Sequence, residues 1–289
     1  MDASETESKS SHDEEVGVKL PLRRAAVSMI TIIVAGIVLE CLIVLGLFQL
    51  APKTPQTWTG FVAWVVLAPL VFWLLYFVYL YVTVLVTRAF LAYFDLRSKP
   101  SSAILKRQFK DKNHPDYRTM HYYHLRGAIV KYPVWIVLKC PIPSLITRVS
   151  SYLCHNKIGK HILHENSYPG LELTEIKDDV ILEAGSAVST HVVESLYGNI
   201  VRMRVEVGEG VVLGMSSVIG PGAVVADGFH IGDNSIAYQK WPLVKQPGIE
   251  GHFFNGMPAR HCDEWSIFAD GALKEQYASL KRKAGKADN

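Results

Sequence analysis

Five consecutive hexapeptides, VEVGEG, VVLGMS, SVIGPG, AVVADG and FHIGDN, run from residue 205 to residue 234. Their third position is always aliphatic (Val207, Leu213, Ile219, Val225, Ile231), and the next is small (Gly208, Gly214, Gly220, Ala226, Gly232). With about 45% apolar residues and about 7% glycine as background, that register arises by chance on the order of once in a million starting points. A period of six is three times the strand period, so the third positions of successive hexapeptides face the same way, while the small residue lets the backbone turn a corner. The pattern predicts a triangular solenoid in which three hexapeptides close a coil of about 18 residues. Ile176, Leu182 and Val188 keep the period upstream, and Ile158–Gly159 marks an earlier corner. From Val188 to Val207 the step is 207 − 188 = 19, one off a multiple of six. A loop must therefore leave the coil there, and such loops are where chemistry is sought. Residues 158–237 suffice for about three to four coils, with the open end capped by a helix over 263–283 and a basic tail to 289.

The chain is 49% hydrophobic and 20% charged, more apolar than an ordinary soluble enzyme, so part of it is expected in lipid. Residues 1–22 are rich in Ser, Glu and Asp and predict a disordered tail. Residues 25–50 and 60–86 are two apolar runs long enough to cross a bilayer, together a transmembrane hairpin over 23–87, with Pro69 expected to kink the second. The connection carries only Lys53, whereas residues 87–112 carry seven Lys or Arg against two Asp. The positive-inside rule then places both termini and everything after residue 86 in the cytoplasm.

Residues 87–160 hold 14 Lys or Arg against three Asp, 14 − 3 = +11, which suits an anionic membrane surface. The apolar stretch 128–138 is too short to span, so 88–154 reads as a basic interfacial linker, with a buried core segment as the other option. His114, His121 and His124 lie in this region, the last two beside Tyr122 and Tyr123 without a nearby acid, and all three read as surface or packing residues. Overall, 30 basic against 27 acidic residues give +3, which does not point to a nucleic-acid partner. Cys41, Cys140, Cys154 and Cys262 form no CxxC or zinc spacing and read as free thiols.

The hexapeptides, closed by GMPAR at 256–260, resemble the left-handed parallel β-helix acyltransferases, in particular the galactoside and maltose acetyltransferase branch, over residues 155–262. The order MHYYHLRG, SYLCHNKIGKHI, the coils with THVVE, and FFNGMPAR after a membrane hairpin is similar to the membrane-embedded terminal domain of nonribosomal peptide synthetases of the ε-poly-lysine synthetase type. These resemblances imply a two-helix transmembrane hairpin followed by a left-handed parallel β-helix and a C-terminal helix. They imply acyl transfer from coenzyme A or a carrier-protein phosphopantetheine, with no metal. His191, in the loop marked by the register break, matches the general base, and Glu194 would orient it or hold the acceptor's cation. Gly214 matches the coil edge along which the donor lies, and Lys240 and Arg260 the donor's phosphates. Implied partners are membrane lipid, two further copies in a homotrimer, and a carrier protein or peptide synthetase. The competing readings are a non-catalytic trimeric membrane scaffold and a γ-carbonic-anhydrase-like protein. The latter needs three zinc-binding histidines with an H-x4-H pair, which the coils lack.

Overall fold

The computed structural model describes residues 21–50, 58–107, 111–194, 198–244, 247, 252–262 and 275. From Lys157 onward the chain winds into a parallel β-helix with three faces. One face stacks Lys157–Ile158, Thr174–Ile176, Val205–Val207, Val224–Val225 and Pro242–Leu243. The second stacks Leu163–His164, Ile181–Leu182, Val212–Leu213, His230–Ile231 and Phe253–Asn255, and the third Ala187–Val188, Val218–Ile219 and Ile236–Ala237. Val207 pairs with Val225 and Leu213 with Ile231, each 18 residues on. The stack is five strands deep on two faces, longer than the hexapeptides alone suggested, because Pro242–Leu243 and Phe253–Asn255 add rungs that lack the repeat's glycines.

The third-position side chains are all buried, as the period requires, but so are Val205, Val211, Ser217, Ala223 and Phe229 at the first position. Residues two apart on a strand share a face, so each hexapeptide sends two side chains inward rather than one. The small fourth residues have a different duty. A β-carbon on Gly214 would lie 2.6 Å from the Ile231 carbonyl oxygen and from Asp233 Oδ1, and one on Gly208 would meet Asp227 equally closely. The same aspartates accept the amides of Met215 and Glu209 at 2.9 Å, tying each corner to the next coil. Gly214→Ala therefore forces neighbouring coils apart and should cost about 1–3 kcal/mol, seen as a lower melting temperature in detergent. Gly46→Ala, where the added carbon meets nothing within 4 Å, should not destabilise.

Two insertions interrupt the winding. Ile176 pairs with Val207, 31 residues on, so 31 − 18 = 13 residues leave the coil at the marked break. Among them, His191–Glu194 and Asn199–Arg202 form an antiparallel hairpin, with His191 opposite Arg202. Ala103–Lys106 adds a third strand, antiparallel to Asn199–Arg202, which sequence patterning did not reveal. Ile231 pairs with Phe254, so 23 − 18 = 5 further residues lie in the last coil. The GMPAR turn then reverses the chain so that Arg260–Cys262 pairs antiparallel with Phe253–Asn255 and closes that face.

Four helices precede the β-helix: α1 (Leu22–Leu50), α2 (Trp58–Arg97), α3 (Pro115–Val137) and α4 (Pro143–Leu153). α1 and α2 are long and apolar enough to cross a membrane. At 40 residues α2 is about 60 Å long, twice a bilayer core. It runs through Pro69 without interruption and continues past residue 86, the end expected from hydropathy, to Arg97. The continuation is explained by packing, since Leu91 and Phe94 are buried with Leu125 and Ile129 of α3 and Leu153 of α4. The described residues of 88–154 thus include helices packed into a core, where a linker was expected. Within that stretch Ile129, Val130, Val134 and Val137 are core, which corrects the interfacial reading of 128–138. His114 caps α3, its Nδ1 accepting the Asp116 amide at 3.2 Å. The tail over 1–20 and the helix expected over 263–283, apart from Glu275, lie outside the described residues.

A buried polar network joins the two bodies. Arg126 of α3, with no exposed surface, donates through Nε to Glu172 and through a terminal nitrogen to the Ser98 carbonyl at 2.6 Å. Asp95 of α2 lies 4.0 Å from Arg126 and 2.8 Å from His155 Nε2, at the entry to the β-helix. From the hairpin, Arg202 lies 4.0 Å from Glu172 and donates to the Ser101 carbonyl at 3.0 Å.

Candidate functional site

The hairpin strand carrying His191 lies over α3. Strand alternation turns His191 and Val193 to the same side, where they line a cavity of about 280 Å³. Across it, α3 presents Tyr123, His124, Gly127, Ala128 and Lys131, neighbours on one helical face. Gly127 helps to make the space, because a β-carbon there would meet nothing within 4 Å. Tyr168 and Leu171 wall the β-helix side, and Pro21, Leu22 and Ala25 at the start of α1 close the remaining edge.

The ring of His191 packs edge-on against Tyr123, centroids 5.7 Å apart, and the Arg202 guanidinium sits 4.9 Å from that ring's centroid. Ser189 Oγ donates to the His191 carbonyl at 2.7 Å, fixing the backbone where the chain leaves the coil. Burial, with Lys131 and Arg202 adding to it and Glu172 opposing, holds the His191 imidazole below its ordinary pKa. His124 is pushed down to about 4, chiefly by burial and next by Arg107. Burial raises the Tyr123 phenol, with Glu172 next, so its hydroxyl keeps its proton. At neutral pH the cavity therefore offers two neutral imidazoles, His191 and His124, and two phenols that can donate a hydrogen bond, Tyr123 and Tyr168. A neutral imidazole can remove a proton from an attacking hydroxyl or amine.

The other expected residues are not brought to this cavity, since Glu194, Gly214, Lys240 and Arg260 are absent from its lining. Glu194, three positions from His191 on a strand, turns to the opposite face and accepts a hydrogen bond from Gln239 Nε2 at 2.8 Å. It does not orient His191, which corrects that expectation. Gly214 is occupied in stacking coils, as described above. Lys240 is exposed at the corner after Ile236–Ala237, with φ +55° and its amide donating to the Pro221 carbonyl at 2.8 Å. Arg260 is exposed at the closing hairpin.

Sequence reading missed Tyr123, His124 and Lys131 as cavity residues. Their available signal was the seven-residue step from His124 to Lys131, two helical turns on one face of α3. His124 thus lines the site rather than only packing, while His121, half-buried, lies 3.4 Å from Arg24.

No protein-family model matches the sequence. No curated protein matches it either. Several solved structures are similar. AntD, an N-acyltransferase from Bacillus cereus in complex with dTDP and 3-hydroxybutyryl-CoA, is 16% identical over 44% of this chain and 68% of its own, with a TM-score of 0.27. A galactoside acetyltransferase in complex with coenzyme A is 21% identical over 47% of this chain and 77% of its own, TM-score 0.31. A maltose O-acetyltransferase from Clostridium difficile is 16% identical over 62% of this chain and 87% of its own, TM-score 0.30.

Proposed function

We propose that this chain is a membrane-anchored acyltransferase of the left-handed β-helix kind, in which His191 is the general base. The observation that carries the reading is the placement of His191: on the excursion from the β-helix, neutralised by burial, and facing a cavity of about 280 Å³. The acceptor's hydroxyl or amine gives its proton to His191 and attacks the carbonyl carbon of an acyl thioester. The new C–O or C–N bond forms, the C–S bond breaks, and the thiolate takes the proton from the imidazolium. Tyr123, which keeps its phenolic proton and packs against His191, would donate a hydrogen bond to charge developing there.

The donor is coenzyme A or a carrier-protein phosphopantetheine, and an aminoacyl thioester is the variant suggested by the peptide synthetase resemblance. Lys240 and Arg260, exposed and outside the cavity, would meet the donor's phosphates from a neighbouring copy, Gly214 lying on the edge between, which is the reason to propose a homotrimer. Glu194 remains available to the acceptor's cation on its own face of the hairpin. The anchor rests on α1 and α2, whose apolar side chains are largely exposed, and the basic residues beyond α2 support cytoplasmic termini.

The test is release of free thiol from a panel of acyl-coenzyme A donors by detergent-purified protein, followed against pH. Catalysis needs the neutral imidazole, so activity should be lost as pH falls through the His191 pKa, below the ordinary 6.5. Lys131→Gln removes a charge that lowers that pKa, so the acid limb should move to higher pH. No donor binding and no release at any pH by folded protein would overturn the coenzyme A reading.

A further inference from the structure

Three hollows meet at the foot of α1. The middle one, about 700 Å³, is lined by Arg23, Arg24, Arg97, Lys112 and Arg118, with no carboxylate among its lining residues. Among the described residues none of these five cations forms an ion pair. Two of them are held by ring neighbours instead: Arg97 lies 5.4 Å from the Tyr93 ring centroid, and Arg24 is 3.4 Å from His121 Nε2. Burial and Arg24 lower the His121 pKa, so His121 offers that arginine an acceptor without adding charge. Four guanidinium groups and an ammonium around one hollow match a phosphate or diphosphate, which arginine binds through paired hydrogen bonds.

On one side this hollow shares Arg23, Arg24, Arg97 and Tyr122 with a groove of about 660 Å³ that continues along Val27, Phe90 and Phe94. On the other side it shares Pro21 and Leu22 with the His191 cavity. The order is therefore a groove with Val27, Phe90, Phe94 and Leu125 as its apolar part, then the cationic hollow, then the imidazole. The cationic hollow begins at residues 21–24, where the first apolar run starts, which is the headgroup level of a bilayer spanned by α1. A soluble anion would need only the middle compartment. An amphiphile carrying a hydrocarbon chain, then a phosphate, then a hydroxyl or amine would fill all three.

We propose that the acyl acceptor is a phosphate-bearing lipid: its chain lies along Val27, Phe90 and Phe94, its phosphate among the five cations, and its headgroup nucleophile at His191. This rests on the acyltransferase reading and names the acceptor class for it. The lipid's headgroup hydroxyl or amine would lose its proton to His191 and take the acyl group from the thioester donor, leaving an acylated lipid and a free thiol.

The test is binding of radiolabelled dioleoylphosphatidate to the full chain in mild detergent, with dioleoylglycerol and inorganic pyrophosphate as competitors. Phosphatidate should bind at least about tenfold more tightly than dioleoylglycerol. The double variant Arg97→Gln/Arg118→Gln should lose about tenfold or more, while Arg148→Gln, outside the hollow, should bind as the wild type does. Equal affinity for dioleoylglycerol, or unchanged affinity in the double variant, would overturn the site. Displacement by pyrophosphate at the concentration at which phosphatidate itself competes would overturn the lipid assignment in favour of a free phosphate. His191→Ala separates the two readings, since it should keep phosphatidate binding while losing acyl transfer from an acyl-coenzyme A to dioleoylphosphatidylethanolamine, whose headgroup amine is the nucleophile that phosphatidate lacks. Transfer at the wild-type rate in that variant would sink the acyltransferase reading and leave the binding result standing.

Discussion

Replacing His191 with alanine should lower the rate of acyl transfer by about 10²- to 10⁴-fold, the usual contribution of a positioned general base, with donor affinity changed little. The split between rate and affinity follows from geometry. His191 lines the cavity against α3, whereas Gly214, Lys240 and Arg260, proposed for the donor, do not line it. Removing the imidazole deletes proton transfer and one face of the Tyr123 contact, but leaves the Arg202–Tyr123 stack and the hairpin register in place. Steady-state kinetics beside a donor-binding measurement check this. A non-catalytic scaffold would show no difference between the two proteins.

The second large effect should come from Arg126. Its guanidinium is fully buried and faces a carboxylate, Glu172, that is 8% exposed. Arg126→Met leaves that carboxylate with Arg202, 4.0 Å away, as its remaining cationic partner. Breaking a buried pair from one side costs about 3–5 kcal/mol, because the remaining charge stays buried and Arg202 at 4.0 Å compensates it only in part. For a chain of this size that is about 10 °C in the detergent melting temperature. The double variant Arg126→Met/Glu172→Met should recover only part of the loss, because it removes the stranded carboxylate but leaves the buried Arg202 with the Ser101 carbonyl and without its carboxylate partner. A single-variant cost below about 1 kcal/mol would mean that the network behaves as a surface pair. The network also bears on the site, since Glu172 and Arg202 push the His191 pKa in opposite directions and Arg126 helps to fix Glu172.

The β-helix was legible because its signal is local and repeated: Val207, Leu213, Ile219, Val225 and Ile231 recur at one spacing, and each is buried where that spacing puts it. The first-position residues were overlooked because Ser217 and Ala223 break any apolar pattern there, although the core admits small side chains at a corner. The departure from the coil between Val188 and Val207 was visible as a count, but what fills it was not. The hairpin is paired with Ala103–Lys106, nearly a hundred residues earlier, and no local period records such a contact. The same holds for the joint. Arg126 sits 46 residues from Glu172, and in a stretch with eleven excess positive charges it reads as one more surface cation. The break and the family pattern singled out His191, which lines the cavity, while Glu194 does not meet it for a reason already in strand geometry: three positions along a strand is the other face. Tyr123 and His124 became site residues only when α3 was seen to lie under the hairpin.

The most direct test of the general-base claim is chemical rescue. His191→Ala leaves room in a cavity of about 280 Å³ that can admit free imidazole. Thiol release from an acyl-coenzyme A donor by this variant should be lost, then return as imidazole is added, rising with the neutral fraction of the added base. A His191→Ala protein that releases thiol at the wild-type rate without imidazole would contradict the account.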